Sequence, residues 1–255
     1  MPGKAPAYPI EKVDDLSNED VARYVLSMAH RMILHYALWF TEIRHQMGLD
    51  RAMEAMASAT EKDFQIQMKR LSRVLGFEMK DDLPASLADC PREKLFELLD
   101  AVSANWLVND GVWFQSVEFA HGMNEAKRCN DSTWAQFSPV EAKMIKRYLH
   151  LSEKPGLEGL KKALGFRVYA NINTQSIVDE GPDRFVFQMN ECRVQAARKK
   201  KNLEDYPCKS AGLVEYTYFA SAIDPRIETQ CIGCPPDEHP EDWFCAWRFS
   251  LPEAT

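Results

Sequence analysis

Residues 167–190 read RVYANINTQSIVDEGPDRFVFQMN, and this stretch decides the fold class. β-Branched and aromatic residues stand on both sides of the turn signal Asp179-Glu180-Gly181-Pro182-Asp183. Val168–Val178 and Arg184–Asn190 are therefore expected to pair as antiparallel strands. Downstream, Cys192–Lys201 and Ser210–Ala222 read as helices, the second with Leu213, Tyr216 and Ala220 on one face, and Arg226–Ile232 and Phe244–Leu251 read as two more strands. The order strand, strand, helix, helix, strand, strand predicts an antiparallel sheet with helices on one face, which is an α+β architecture.

Upstream of Phe166 the apolar period is helical. Val21, Tyr24, Val25, Met28, Met32, Leu34, Leu38 and Ile43 recur at spacings of three and four after the N-cap candidates Ser17 and Asn18, so a long helix should end near Gly48. A second should run from Asp50 to Leu75 and close at Gly76. Lys80–Pro91, polar and interrupted by proline, reads as a loop; a third helix is expected at Arg92–Val108 and a fourth from about Gly111.

These helices carry an internal likeness. LWFTEIRHQMGLDRAM from Leu38 aligns with VWFQSVEFAHGMNEAK from Val112, so that Trp39, Phe40, Gly48 and Ala52 fall on Trp113, Phe114, Gly122 and Ala126. After a small gap, QMKRL at Gln67 faces KMIKRYL at Lys143. The organisation expected is a flexible tail at 1–17, a helical region at 18–165 with repeats at 38–77 and 112–151, and an α+β domain at 166–255.

Composition narrows the partners. The 255 residues are 45% hydrophobic, enough for a sizeable core, and the net charge of −7 leaves no basic face for nucleic acid. The one basic run, Arg198–Lys201, reads as a solvated helix end. Met1–Tyr8 has no apolar signal segment and no stretch approaches membrane-spanning length, so no membrane partner is expected and a cytoplasmic setting is. In a reducing compartment cysteines remain thiols, which directs them toward metal binding or thiol chemistry.

Five of the seven cysteines lie beyond residue 190: Cys192, Cys208, Cys231, Cys234 and Cys245. The tightest run is ETQCIGCPPDEHPEDWFC, residues 228–245. If the Arg226 strand pairs with the last strand, Cys231 or Cys234 is brought opposite Cys245, while Cys208 adds a thiol from a helix start. Four thiolates, Cys208, Cys231, Cys234 and Cys245, suit tetrahedral zinc; an iron–sulfur cluster uses the same ligand type. His239 lies in the same segment and is a substitute ligand, and Cys192, next to a strand end, is either a further ligand or a nucleophile. Cys90 and Cys129 stand apart in the helices and read as structural.

The run PCKSAGLVEYTYFASAIDPRIETQCIGC, residues 207–234, together with FCAWRF at 244–249, resembles the closing half of the 4-vinyl-reductase-type small-molecule-binding domain. That domain also occurs in the sensor modules of aromatic-responsive transcription activators, where these positions bind a structural zinc. The resemblance implies Cys208, Glu228, Cys231 and Cys245 as ligands. This chain departs from it by Cys234 and the insertion PPDEHPEDW, which makes Cys234 a replacement for Glu228. Cys192, ahead of its helix, is similar to the L-2-amino-thiazoline-4-carboxylate hydrolase-like family, and the whole chain resembles bacterial cytosolic proteins near that family.

Two functions follow as expectations. In one, zinc holds together a domain that binds a small, partly apolar molecule between sheet and helices; Trp113, Phe114 and Tyr216 would line the pocket and Glu118 and Arg193 supply polar contacts. In the other the chain is a hydrolase, and a metal-bound water or the Cys192 thiolate opens a small cyclic C–N or C–S bond. The expected partners are a small-molecule ligand and a second copy in a homodimer. No Ser-His-Asp order, phosphate loop or dinucleotide fingerprint is present in the sequence.

Overall fold

A computed structural model describes residues 8–200, 202 and 205–252. The first seven residues of the expected tail, and Lys201 at the end of the expected basic run, lie outside the described residues. The chain divides into two compact units, Met1–Asp82 and Leu83–Thr255.

The first unit is a helical hairpin with α1 at Asn18–Met47 and α2 at Leu49–Leu75, followed by the two-residue strand β1 at Met79–Lys80. Ser17 caps α1, its hydroxyl accepting from the Asp20 N–H at 3.2 Å. The Tyr8 hydroxyl accepts from the Ser17 N–H at 2.8 Å and donates to Asp20 at 2.6 Å, so the expected tail is tied down from Tyr8 onward. Between the helices the Tyr36 hydroxyl, the Asp63 carboxylate and the Gln67 amide form one hydrogen-bonded group. Helix α1 has no buried residue, and Val25, Leu26, Ile33, Leu34 and Trp39 are exposed.

The second unit opens with β2 at Leu83–Pro84 and the single turn α3 at Ala85–Ala88, then α4 at Arg92–His121 and α5 at Met123–Tyr148. The expected break near Gly111 is absent: α4 runs through it and ends at Gly122. Gly111 keeps a helical backbone at a cost of about 0.5–1 kcal/mol, which a 30-residue helix absorbs. Gly122 instead adopts φ 90° and ψ 165°, a conformation that a side chain would strain.

That glycine has a twin. Gly48, 74 residues earlier, adopts φ 88° and ψ 166° between α1 and α2. Each glycine N–H bonds back into the preceding helix, to Arg44 and Glu118 respectively. Each carbonyl accepts from an alanine N–H at 3.2 Å, from Ala52 and from Ala126. Both alanines are buried. The duplicated unit read from Trp39-Phe40 and Trp113-Phe114 is thus present in the backbone, once in each compact unit.

The rest of the second unit is α6 at Gly156–Leu164, β3 at Thr174–Asp179, β4 at Arg184–Glu191, α7 at Arg193–Lys200, α8 at Lys209–Ile223, β5 at Glu228–Gly233 and β6 at Cys245–Ser250. The four long strands form one antiparallel sheet in the order β3-β4-β6-β5. The first expected strand begins only at Thr174, because Arg167 and Tyr169 turn their side chains into the core and a 3-10 turn at Ala170–Ile172 follows.

Register sets the two faces of the sheet. Phe185 pairs with Phe249, Phe187 with Trp247 and Met189 with Cys245. On this face Phe185, Phe187, Met189, Trp247 and Phe249 are buried and pack with Tyr216, Phe219 and Ala220 of α8 in one core. On the other face Arg248 pairs with Glu180 at 2.6 Å. Helix α8 packs in turn on α5, so the second helical hairpin belongs to the α+β unit. The unit boundary therefore falls at 82/83 rather than at 165/166.

One close approach fixes α8 on the sheet. The Tyr216 and Trp247 rings stack with centroids 4.8 Å apart, and a Cβ on Gly212 would come within 2.5 Å of Trp247 Cζ2. Gly212→Ala should therefore overpack this contact and lower stability by about 1–3 kcal/mol. Urea unfolding checks it, and a parental midpoint would mean that Trp247 has room to move.

Candidate functional site

The thiols converge where the helices start and the strands end. Cys192 links β4 to α7, Cys208 precedes α8, Cys234 follows β5 into the proline turn, and Cys245 opens β6 opposite Met189. Its neighbours Cys208 and Cys245, then burial, push the Cys234 thiol far above the ordinary thiol range. Cys192 stands beside Cys208 and Cys245 and is pushed up to about 12, chiefly by burial. Gln195, fully buried, donates to Cys208 Sγ at 3.2 Å, and Cys208 in turn donates to the Tyr206 carbonyl at 3.2 Å. The Lys209 N–H bonds the Pro235 carbonyl at 2.9 Å and the Lys209 ammonium pairs with Asp237 at 2.8 Å, so the start of α8 is tied to the turn that carries Cys234.

Among the described residues no group of three or more His, Cys, Asp or Glu side chains is placed so that it could hold a metal ion. Protonated thiols can lie close together, whereas thiolates gathered without a cation would repel.

Several expected ligands fall elsewhere. Cys231 is half-buried beside Lys209, Asp237 and Cys245, and burial raises its thiol. It lies across from Trp247, and the register shift after it separates it from Cys234. Cys192 lies on the other side, where β4 passes into α7. Glu228 is exposed and three residues from Cys231 on the same strand, so the pleat turns it to the opposite face. His239 is held by Asp205, with Nε2 3.7 Å from its carboxylate, and by the Pro240 carbonyl. Burial pushes the Cys192 thiol up to about 12, so any role as a thiolate needs a partner that stabilises the anion.

The unit also has a cleft. It lies between α4 and α5 rather than between sheet and helices, and holds about 380 Å³. Trp106, Trp113, Phe114, Trp134 and Phe137 wall it, and Asp110 lies among them. Trp113 and Phe114 are thus placed as expected, at a cavity, but the other three pocket candidates are not. Tyr216 is in the core under Trp247, Glu118 lies on α4 without lining the cleft, and Arg193 is exposed on α7.

Tyr206 joins the two features. Its ring meets Phe114 edge-on with centroids 5.2 Å apart, and its hydroxyl donates to Asn130 of the cleft at 3.2 Å. Its main chain bonds Gln195 and Cys208. A residue that touches Phe114 and Asn130 of the cleft lining is therefore fastened to a cysteine of the cluster.

A buried ionic group behind the cleft is not foreshadowed by any spacing. Arg167, fully buried, donates to Glu141 at 3.0 Å and to Glu215 at 2.7 Å. Glu141 also accepts from the Val168 N–H at 2.8 Å, and the Tyr169 hydroxyl donates to Glu215 at 2.5 Å. The guanidinium lies 4.5 Å from the Tyr169 and Phe219 ring centroids and 5.6 Å from Trp134, a wall of the cleft. Arg167 itself sits in a stretch that reads as strand, which hides it from pattern reading.

A family model described as a family of unknown function, DUF6125, matches the chain over residues 13–100 and again over 88–251. The chain belongs to this family. The two matches overlap at residues 88–100, and each contains one helix–glycine–helix hairpin, Gly48 in the first and Gly122 in the second. No curated protein and no solved structure matches the chain. Among the described residues no helix is long and apolar enough to cross a membrane.

Proposed function

We propose that the chain binds a small, partly apolar molecule in the α4–α5 cleft, and that a four-thiolate metal centre of Cys192, Cys208, Cys234 and Cys245 keeps the cleft closed. The observation that carries this reading is the convergence of Cys192, Cys208, Cys234 and Cys245 at strand ends and helix starts, with Cys208 and Cys245 both acting on the Cys234 thiol and with Tyr206 bonded to Cys208 and packed on Phe114 of the cleft. Zinc is the preferred ion, because four thiolates suit its tetrahedral coordination and a structural site has no open position. The reading keeps the zinc implied by the 4-vinyl-reductase-type resemblance and exchanges Glu228 and Cys231 for Cys192 and Cys234. The Gln195 amide would stay as the outer support, donating to the Cys208 sulfur and so favouring its thiolate. Catalysis by Cys192 is not part of this reading, since donation to zinc lowers the nucleophilicity of a thiolate and a closed structural site leaves no position for a substrate.

Elemental analysis of protein purified without oxygen tests it. One zinc per chain is expected in the parent and in Cys231→Ser, and less than half of that in Cys192→Ser. A brown protein with iron and sulfide would replace zinc by a cluster, whereas a metal-free parent that resists reconstitution with zinc would return the cysteines to the core.

A further inference from the structure

The two hairpins of the duplicated unit treat one position differently. At the constant offset of 74 residues, Tyr36 corresponds to Asp110, Asp63 to Phe137 and Thr60 to Trp134. In the first hairpin the carboxylate of Asp63 is satisfied across the helix pair by the Tyr36 hydroxyl and the Gln67 amide. In the second the carboxylate stands on the first helix of the pair, as Asp110 in the place of Tyr36, and a ring, Phe137, stands in the place of Asp63. Among the described residues Asp110 has no hydrogen bond or ion pair; burial raises its carboxyl, and its charge in turn helps to raise the nearby Tyr206 phenol.

Around it the rings form a cage. Trp106 lies edge-on to Trp134 at 5.7 Å and stacks on Phe137 at 6.5 Å. The neighbouring cations are committed elsewhere: Lys127 pairs with Asp131 at 2.9 Å and sits over the Tyr206 ring, and Arg167, beyond Trp134, is held by Glu141 and Glu215. A half-buried carboxylate without a partner is costly, and aromatic faces attract positive charge. Both costs are relieved by one kind of guest.

We propose that the α4–α5 cleft takes a monovalent organic cation, an alkylated amine whose ammonium group pairs with Asp110 while its apolar body rests on Trp106, Trp134 and Phe137. This rests on the cleft being a ligand site, as proposed above, and adds its chemical class. A volume of about 380 Å³ fits a small metabolite rather than a peptide. An anion would be repelled by Asp110, and a neutral guest would leave its carboxylate unpaired.

Three probes of nearly equal shape separate the cases: choline, its neutral isostere 3,3-dimethylbutan-1-ol, and the anion 3,3-dimethylbutyrate. Titrations of the full chain are followed by tryptophan fluorescence, which the three tryptophans of the cleft report. Choline should bind about tenfold or more tighter than the alcohol, with the anion weakest. Asp110→Asn should erase that preference and leave the affinity for the alcohol within about twofold. If the alcohol binds as well as choline, or the preference survives Asp110→Asn, the cation proposal is overturned while the cleft keeps its standing as a ligand site. If none of the three binds, both fall.

Discussion

Cys234→Ser is expected to abolish metal retention and to unfold the second unit at a temperature well below that of the parent. Cys234 is the buried member of the thiol group, acted on by both Cys208 and Cys245, which arrive from the start of α8 and from β6. Removing it leaves three thiols, too few to close a structural site. Apparent binding energies of structural zinc run to about 10–16 kcal/mol, comparable with the whole stability of an ordinary domain at about 5–15 kcal/mol. Even a fraction of that is a large loss. The part due to packing is separable, because the metal-stripped parent and the stripped variant should then unfold within about 1–3 kcal/mol of each other, the cost of burying a hydroxyl in place of a thiol. Paired measurements of zinc content and near-ultraviolet circular dichroism decide the matter. A variant that keeps one zinc and melts with the parent removes Cys234 from the ligand set.

How much of this was legible in the residues depended on whether the signal was local. Gly48 and Gly122 could be read because the same backbone need recurs 74 residues apart within the same aromatic frame. The hairpin that sets Cys245 beside the end of β5 was legible from alternation alone. The arrangement of the thiols was not: a Cys-x-x-Cys spacing argues for two ligands from one turn, but the register shift between Cys231 and Gly233 and the return of β4 beside β6 are set by the sheet and not by local spacing. Asn109-Asp110-Gly111 misled for a related reason. As local chemistry it is a turn, yet α4 passes straight through it, because packing on α5 outweighs a modest propensity cost. The residue before the expected break, Asp110, is the carboxylate of the cleft.

Arg167→Met should cost about 3–5 kcal/mol of stability, the loss associated with breaking a buried ion pair from one side. The substitution preserves much of the side-chain volume that contacts Tyr169, Phe219 and Trp134, so the loss reports charge more than cavity. It strands Glu141 and Glu215, both buried, without their cation. The pH dependence gives the sign. In the parent, burial raises the Glu215 carboxyl, and Arg167 is the chief influence holding it down. Without Arg167 the folded-state value rises further above the unfolded one. Folding then takes up a proton, and stability is lost as pH rises through the folded value. The deficit of Arg167→Met should therefore be smaller near pH 5 than near pH 8, and adding Glu141→Gln and Glu215→Gln should recover much of it at the higher pH. Urea unfolding of the three proteins at both pH values measures this. A deficit that does not change with pH, or that the glutamine replacements deepen, would mean that Arg167 acts through its packing and hydrogen-bond geometry rather than by neutralising the two carboxylates behind the cleft.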